Sequence, residues 1–247
     1  MEITKFSRDY TIRSYECDRN NQLRIVTLMN IFQDMAYAQV TQMGFGLRFC
    51  LKNKVTWVGT NYAIEIDRLP KMDENIRIET WPSGEKKLSM TRDFEVFGGD
   101  GQSIIRASSQ WVMVDFVKRR PVVLKERLPE YNLVENRALK TDFPKIRELE
   151  RVDYQAKFRV RYDDIDLNRH VNNGVYVLWA CEAVDSGFRI KHTPRYIEIA
   201  YKKEGYLGEK IMVNTEYDGL TALLSINTYD GNNNRELARA TVVWRER

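Results

Sequence analysis

The ten residues from Asp164 to Asn173, Asp-Ile-Asp-Leu-Asn-Arg-His-Val-Asn-Asn, hold two carboxylates, one imidazole and three carboxamides just ahead of an apolar run with helical spacing. Groups of these types, gathered at a turn between a strand and a helix, can move protons and stabilise a developing negative charge. Imidazole is the side chain whose ordinary pKa suits acid-base work near neutral pH. The chain has 2 histidines. His192 sits in Lys191-His192-Thr193-Pro194, where the proline and the neighbouring lysine read as a surface loop. His170 is therefore the candidate acid-base residue.

Other chemistries fit less well. Asp164, Asp166 and Asn168 fall at positions one, three and five of a calcium loop, but Arg169 stands where the loop needs glycine and Val175 where it needs a bidentate glutamate. No G-x-S-x-G elbow is present. The cysteines, Cys17, Cys50 and Cys181, form no C-x-x-C pair, and Cys181 lies inside the apolar run as a packing residue. Neither a metal nor another cofactor is expected. With 39 basic against 35 acidic residues the chain offers little to nucleic acid, though Lys118-Arg119-Arg120 and Lys202-Lys203 could meet an acidic protein. The start of the chain lacks a basic segment followed by an apolar one, and no stretch is apolar enough to span or insert stably in a bilayer. The expected location is the cytoplasm.

The elements that must position His170 occur twice. Ile64-Glu65-Ile66 recurs as Ile197-Glu198-Ile199, and Arg106-Ala107 with Trp111 recurs as Arg239-Ala240 with Trp244, each match 133 residues apart. Arg13, Asp18 and Asn20 recur as Arg161, Asp166 and Asn168 at a spacing of 148. Each copy reads as a strand, a polar turn, one helix and four strands. The first helix spans about 25 to 43, with strands near 56–68, 75–82, 87–97 and 103–117 and turns at Ser83-Gly84 and Gly98-Gly99-Asp100-Gly101. The second copy has a helix near 172–187 and strands near 195–204, 209–217, 221–229 and 235–245, turning at Asp218-Gly219 and Asp230-Gly231-Asn232-Asn233-Asn234. The economical packing is α+β: a double hotdog, two tandem copies of a curled antiparallel sheet around one long helix. The expected division is an N-terminal copy over 1–128, a charged linker over 129–150 and a C-terminal copy over 151–247. The two copies form a built-in dimer, and a further homodimer is left open.

The counterpart of Asp166-x-Asn168-x-His170 in the first copy is Asp18-x-Asn20-x-Gln22, so one copy alone holds an imidazole. On local grounds Asp166 and Asn168 serve equally well as turn and cap residues. The difference at His170 points to chemistry in the second copy.

Tyr10-Thr-Ile-Arg-Ser-Tyr-Glu16, Thr27-Leu-Met-Asn30, Trp57-Val58, Arg106-Ala107-Ser108, Trp111-Val-Met113, Arg119-Arg120 and, above all, Asp164 to Asn173 resemble the acyl-acyl carrier protein thioesterases of plant plastids and bacteria. The resemblance covers nearly the whole chain and is to the bacterial branch, since the plastid transit segment is missing. It implies that Asp166, Asn168 and His170 form the catalytic loop and that Glu204, in the strand beginning near Tyr196, is catalytic. The family often has a cysteine after that glutamate, once proposed as the nucleophile; here Gly205 stands there, leaving Glu204 as base or direct nucleophile. The implied reaction is hydrolysis of fatty acyl-acyl carrier protein in fatty acid biosynthesis, with no cofactor. Asn168 and the backbone amides from Val171 to Gly174 would stabilise the oxyanion, and Asp166 would orient Asn168 or His170. The acyl chain would lie in the first copy, near Met29, Phe32, Met35 and Trp57. Two rivals are a hotdog hydrolase or hydratase acting on acyl-coenzyme A, and a non-catalytic acyl-thioester sensor.

Overall fold

The computed structural model describes residues 5–128, 131, 133–229 and 234–247. Pro129 and residues 230 to 233 of the expected last turn lie outside them. The chain divides into two compact units, Met1–Asp142 and Phe143–Arg247.

The first unit contains β1 (Phe6–Thr11), α1 (Ile25–Gln42), α2 (Leu47–Asn53), β2 (Val55–Ile66), β3 (Asn75–Glu85), β4 (Ser89–Phe97), β5 (Ser103–Asp115) and the two-residue β6 (Arg120–Pro121). Its main strands pair antiparallel in the order β1-β3-β4-β5-β2, with β6 extending β5. Helix α1 buries Ile25, Leu28, Met29, Ile31, Phe32, Met35, Ala36 and Gln39, a stripe at helical spacing. It ends where Gly44 turns left-handed at φ +84°, which frees the Phe45 N–H to bond the Val40 carbonyl at 2.8 Å. Phe32 stacks on Phe94 of β4 with ring centroids 4.5 Å apart. Two residues earlier on the same strand, the buried Arg92 guanidinium reaches Gln39 of α1 and the Thr80 hydroxyl. A second apolar cluster gathers Phe45, Val55, Met90, Met113, Leu124 and Leu128, with Trp57 against its edge. Ser83-Gly84 is not the expected turn: β3 continues to Glu85 through a register shift between Pro82 and Gly84, and the chain reverses at Lys86–Ser89, whose backbones exchange hydrogen bonds.

The second unit repeats the plan with β7 (Tyr154–Arg159), α3 (Asn173–Glu182), α4 (Ser186–Lys191), β8 (His192–Tyr201), β9 (Lys210–Asp218), β10 (Thr221–Thr228) and β11 (Glu236–Glu246). Its order, β8-β11-β10-β9-β7, is that of the first unit. Each unit is one hotdog copy. The single helix expected over 172–187 is broken in two. Asp185 accepts the Phe188 N–H at 3.0 Å and starts α4, while the Thr215 hydroxyl claims the Ala183 carbonyl at 2.8 Å. His192 is not in a surface loop. It opens β8, half-buried, stacked on Phe188 at 3.9 Å, with Nδ1 2.8 Å from the Phe188 carbonyl.

The stretch expected as linker has no helix or strand among its described residues, yet each part is tied down. In the first unit Asn136 accepts the Trp81 indole N–H at 2.6 Å, and Arg137 pairs with the fully buried Asp93 at 3.0 Å. In the second, Arg147 and the Glu150 N–H converge on Glu216, whose side chain is 2% exposed. The Arg147 guanidinium, joined by backbone N–H groups, holds the Glu216 carboxyl at about 2, below the ordinary 4.5. A folded-state value depressed in this way contributes stability that is complete above the unfolded value and fades as pH falls from about 4.5 toward about 2. Glu216→Gln is accordingly expected to lower the urea midpoint at pH 7 and to converge on the parent protein as pH falls through that window. A gap between the two midpoints that stays constant with pH would contradict this account.

Candidate active site

One turn and one loop of the second copy build the site. After β7, Asp164 is buried and accepts the Arg161 N–H at 2.8 Å and its guanidinium at 2.7 Å. Ile165 then bridges to Val171, closing the excursion that carries residues 166 to 170. Within it Asp166 Oδ1 accepts the Asn168 N–H at 2.8 Å and lies 3.5 Å from the His170 N–H, while the Asp166 N–H donates to the His170 carbonyl at 2.9 Å. The Asn168 carboxamide turns back on Asp166 Oδ2 at 3.4 Å. Arg169 adopts left-handed backbone at φ +65°.

The first copy has the same framework. Asp18 accepts the Asn20 N–H at 2.8 Å and the Gln22 N–H at 3.1 Å, and donates its own N–H to the Gln22 carbonyl at 2.7 Å. Asn20 turns back on Asp18 at 3.4 Å, Asn21 sits at φ +59°, and Cys17 bridges to Leu23. Asp166 and Asn168 thus make the turn that Asp18 and Asn20 make without an imidazole nearby.

What the turn presents differs. The Val171 N–H donates to the Gly205 carbonyl at 2.9 Å, as the Leu23 N–H donates to that of Pro70 at 2.8 Å, so Glu204 corresponds to Leu69 and Tyr206 to Lys71. His170 Nε2 lies 3.4 Å from Glu204 Oε2. The Tyr206 hydroxyl donates to the same oxygen at 3.0 Å, and the two rings meet edge to face at 5.3 Å. The His170 and Glu204 side chains are 31% and 43% exposed, so water reaches the space between them. Copy one holds Gln22, Leu69 and Lys71 at these three places.

Glu204 lies in the loop after β8 rather than in the strand, because the Lys202 and Lys203 N–H groups both turn onto the Leu237 carbonyl, at 2.8 and 3.1 Å, and end the ladder. Sequence reasoning missed Tyr206. Its signal was its place two residues after Glu204, in the segment the family resemblance had already singled out. Three of the four expected oxyanion donors are spent: the Val171, Asn172 and Gly174 N–H groups bond Gly205, Asp164 and the Asn172 side chain. The Asn173 N–H has no partner among the described residues. Gly205 is buried, and a Cβ there would sit 3.0 Å from the Tyr176 hydroxyl and 3.1 Å from Val171, behind the turn rather than beside His170. The Cys181 thiol is pushed up to about 12 by burial, and burial also raises Cys17 and Cys50, so none is poised as a thiolate. Among the described residues no group of three His, Cys, Asp or Glu side chains could hold a metal. Met29, Phe32 and Met35 are packed, and the open cavity of about 950 Å³ in the first unit is lined instead by residues such as Ser83, Lys87 and Tyr131.

Two sequence models match in tandem: the Acyl-ACP thioesterase N-terminal domain over residues 3–131 and the Acyl-ACP thioesterase C-terminal domain over 147–246. The chain belongs to the acyl-ACP thioesterase family. It is similar to the chloroplastic palmitoyl-acyl carrier protein thioesterase of Gossypium hirsutum, 29% identical over 214 residues that cover 81% of this chain and 52% of the relative. It is also similar to a chloroplastic acyl-[acyl-carrier-protein] hydrolase of Cuphea viscosissima, at 30% over 197 residues, 72% of this chain and 47% of that one. The chain therefore spans about half the length of the curated relatives it matches. In fold it follows an acyl-ACP thioesterase from Bacteroides thetaiotaomicron, with TM-score 0.87, 23% identity and 98% of both chains covered. The 12:0-ACP thioesterase from Umbellularia californica superposes with TM-score 0.85, 24% identity and 98% coverage of both. No helix among the described residues is long and apolar enough to cross a membrane.

Because the two turns share their carboxylate bonds, Asp18→Ala and Asp166→Ala are expected to cost similar stability, about 1–2 kcal/mol each by urea unfolding. A large loss confined to one of them would show that the two turns are not held alike.

Proposed function

We propose that the protein hydrolyses the thioester of fatty acyl-acyl carrier protein, releasing free fatty acid and carrier protein in fatty acid biosynthesis. The observation that carries this reading is the facing pair His170 and Glu204, 3.4 Å apart in the copy whose twin has Gln22 and Leu69, within a chain of this family. In the proposed reaction a water between them loses a proton to Glu204 and attacks the thioester carbonyl carbon. The Asn173 N–H, at the start of α3, supports the oxyanion. As the tetrahedral intermediate collapses the C–S bond breaks, and the proton taken from the water passes from Glu204 through His170 to the leaving sulfur, which returns both side chains to their starting states. The Tyr206 hydroxyl holds the Glu204 carboxylate in place. Asp166 acts one step back by setting the His170 backbone, and Asn168 belongs to the turn.

The reading assigns the acyl chain to the first copy, the chemistry to the second, and the cytoplasm as location; the unpaired cysteines agree with a reducing compartment. Since Met29 and Met35 are packed, the chain enters by displacing side chains that are unbranched and adaptable. The partner is an acidic carrier protein. Of the two basic clusters, Lys202 pairs with Glu236 at 2.6 Å, and Lys118, Arg119 and Arg120 are exposed.

The test is a fatty acid release assay with carrier-protein and coenzyme A esters over a range of chain lengths. Carrier-protein esters are expected to be preferred; equal or better use of coenzyme A esters would favour the rival hydrolase. His170→Ala and Glu204→Ala should each lower kcat by on the order of a hundredfold with unchanged unfolding curves. Gln22→Ala should leave kcat within about twofold, as expected for a group outside the chemistry. Near-normal turnover by folded His170→Ala would remove the imidazole from the mechanism.

A further inference from the structure

Beyond the reacting groups, the rim of the same turn departs from its twin at three places. Leu167 is 100% exposed, where copy one has Arg19. The shared backbone geometry asks for no leucine there, and a side chain wholly in water adds nothing to the fold. Arg169 occupies a left-handed position at φ +65°, where copy one has Asn21, a residue that tolerates this conformation far better. Its guanidinium is exposed and has no partner among the described residues.

The third difference lies across the site. The Tyr206 N–H donates to Glu209 at 2.9 Å as the Lys71 N–H donates to Glu74 at 3.0 Å, which makes Glu209 the counterpart of Glu74 and Lys203 that of Arg68. In copy one Arg68 is consumed by Glu74 in a two-pronged pair at 2.8 and 3.0 Å. In copy two Arg235 takes Glu209, and Lys203 is left exposed with no partner among the described residues. Leu207, 57% exposed, adds apolar surface on the same loop. The segments that hold His170 and Glu204 thus also carry two exposed cations without partners among the described residues and two exposed leucines. Asp163, just ahead of the turn in the chain, is an exposed carboxylate.

We propose that Leu167 and Arg169 on the turn, with Lys203 and Leu207 on the facing loop, form the docking surface for the acidic acyl carrier protein. This rests on the function proposed above. A protein that delivers a thioester to His170 and Glu204 must rest on whatever borders them, and the unpaired cations suit an acidic partner. The leucines supply the apolar contact that charge steering alone does not.

The experiment compares Leu167→Ser with Arg169→Asn, singly and together, on two substrates with one acyl chain: the carrier-protein ester and the uncharged pantetheine ester. The double variant is expected to lose about tenfold or more in kcat/KM for the carrier-protein ester, mainly through KM, and to become less sensitive to salt. Pantetheine ester hydrolysis should stay within about twofold and the unfolding midpoint should not fall, since one residue is fully exposed and asparagine suits the left-handed position. An equal loss on both substrates would assign the side chains to the chemical step and overturn the docking role. An undiminished rate with the carrier-protein ester would place docking elsewhere. A parent protein that does not prefer the carrier-protein ester over the pantetheine ester would instead sink the proposed function itself.

Discussion

A carboxylate that gathers backbone N–H groups two and four residues further along the chain is the constraint on which the site depends. Asp166 does this in one copy and Asp18 in the other. The bond closes the turn, forces the fourth residue of the loop into left-handed backbone and fixes where the fifth side chain leaves it. The bridge across the base of the turn, Ile165 to Val171 or Cys17 to Leu23, then sets the N–H of Val171 or Leu23 against the loop after β8 or β2, one hydrogen bond away. His170 meets Glu204 because each stands one residue before an end of the Val171 to Gly205 hydrogen bond.

Energetics separate scaffold from chemistry. A partly exposed pair such as His170 and Glu204 is worth about 0–1 kcal/mol to the fold. Leu69, its counterpart's position in copy one, is 5% exposed, and burying a leucine is worth about 1.5–3 kcal/mol. A chain selected only for stability would hold leucine in both copies. Stability does not explain the glutamate, which agrees with the reactive role proposed for it, while Asp166 and Asn168 make the same turn that Asp18 and Asn20 make in the first copy.

The repeat, the order of elements and the position of His170 were legible because each leaves a mark in local sequence: paired motifs at fixed spacing, alternating apolar strands, and an imidazole present in one copy. Glu204 left no such mark. Beside Lys202 and Lys203 it reads as a surface charge, and only the family resemblance singled it out; its partnership with His170 depends on a long-range bridge. The His192 reading went astray because Pro194 suggests a loop, whereas it sits at a register irregularity between Val243 and Trp244 in the β8 to β11 ladder. The helix over 172–187 was overextended because Asp185 is as good a helix start as it is an interior residue, and local pattern does not rank the two. The spent amides near Val171 to Gly174 were hidden because their acceptors, Asp164 and Gly205 among them, come from outside the helix.

The stretch joining the copies carries a consequence of its own. Its first part is secured to Asp93 and Trp81, its second to Glu216 and Arg239, and the partition falls between Asp142 and Phe143. Each copy therefore supplies the ionic anchor of its own half of the stretch, Asp93 for Arg137 and Glu216 for Arg147. A gene divided at that junction would encode two polypeptides, each still carrying the cation that neutralises its own buried carboxylate.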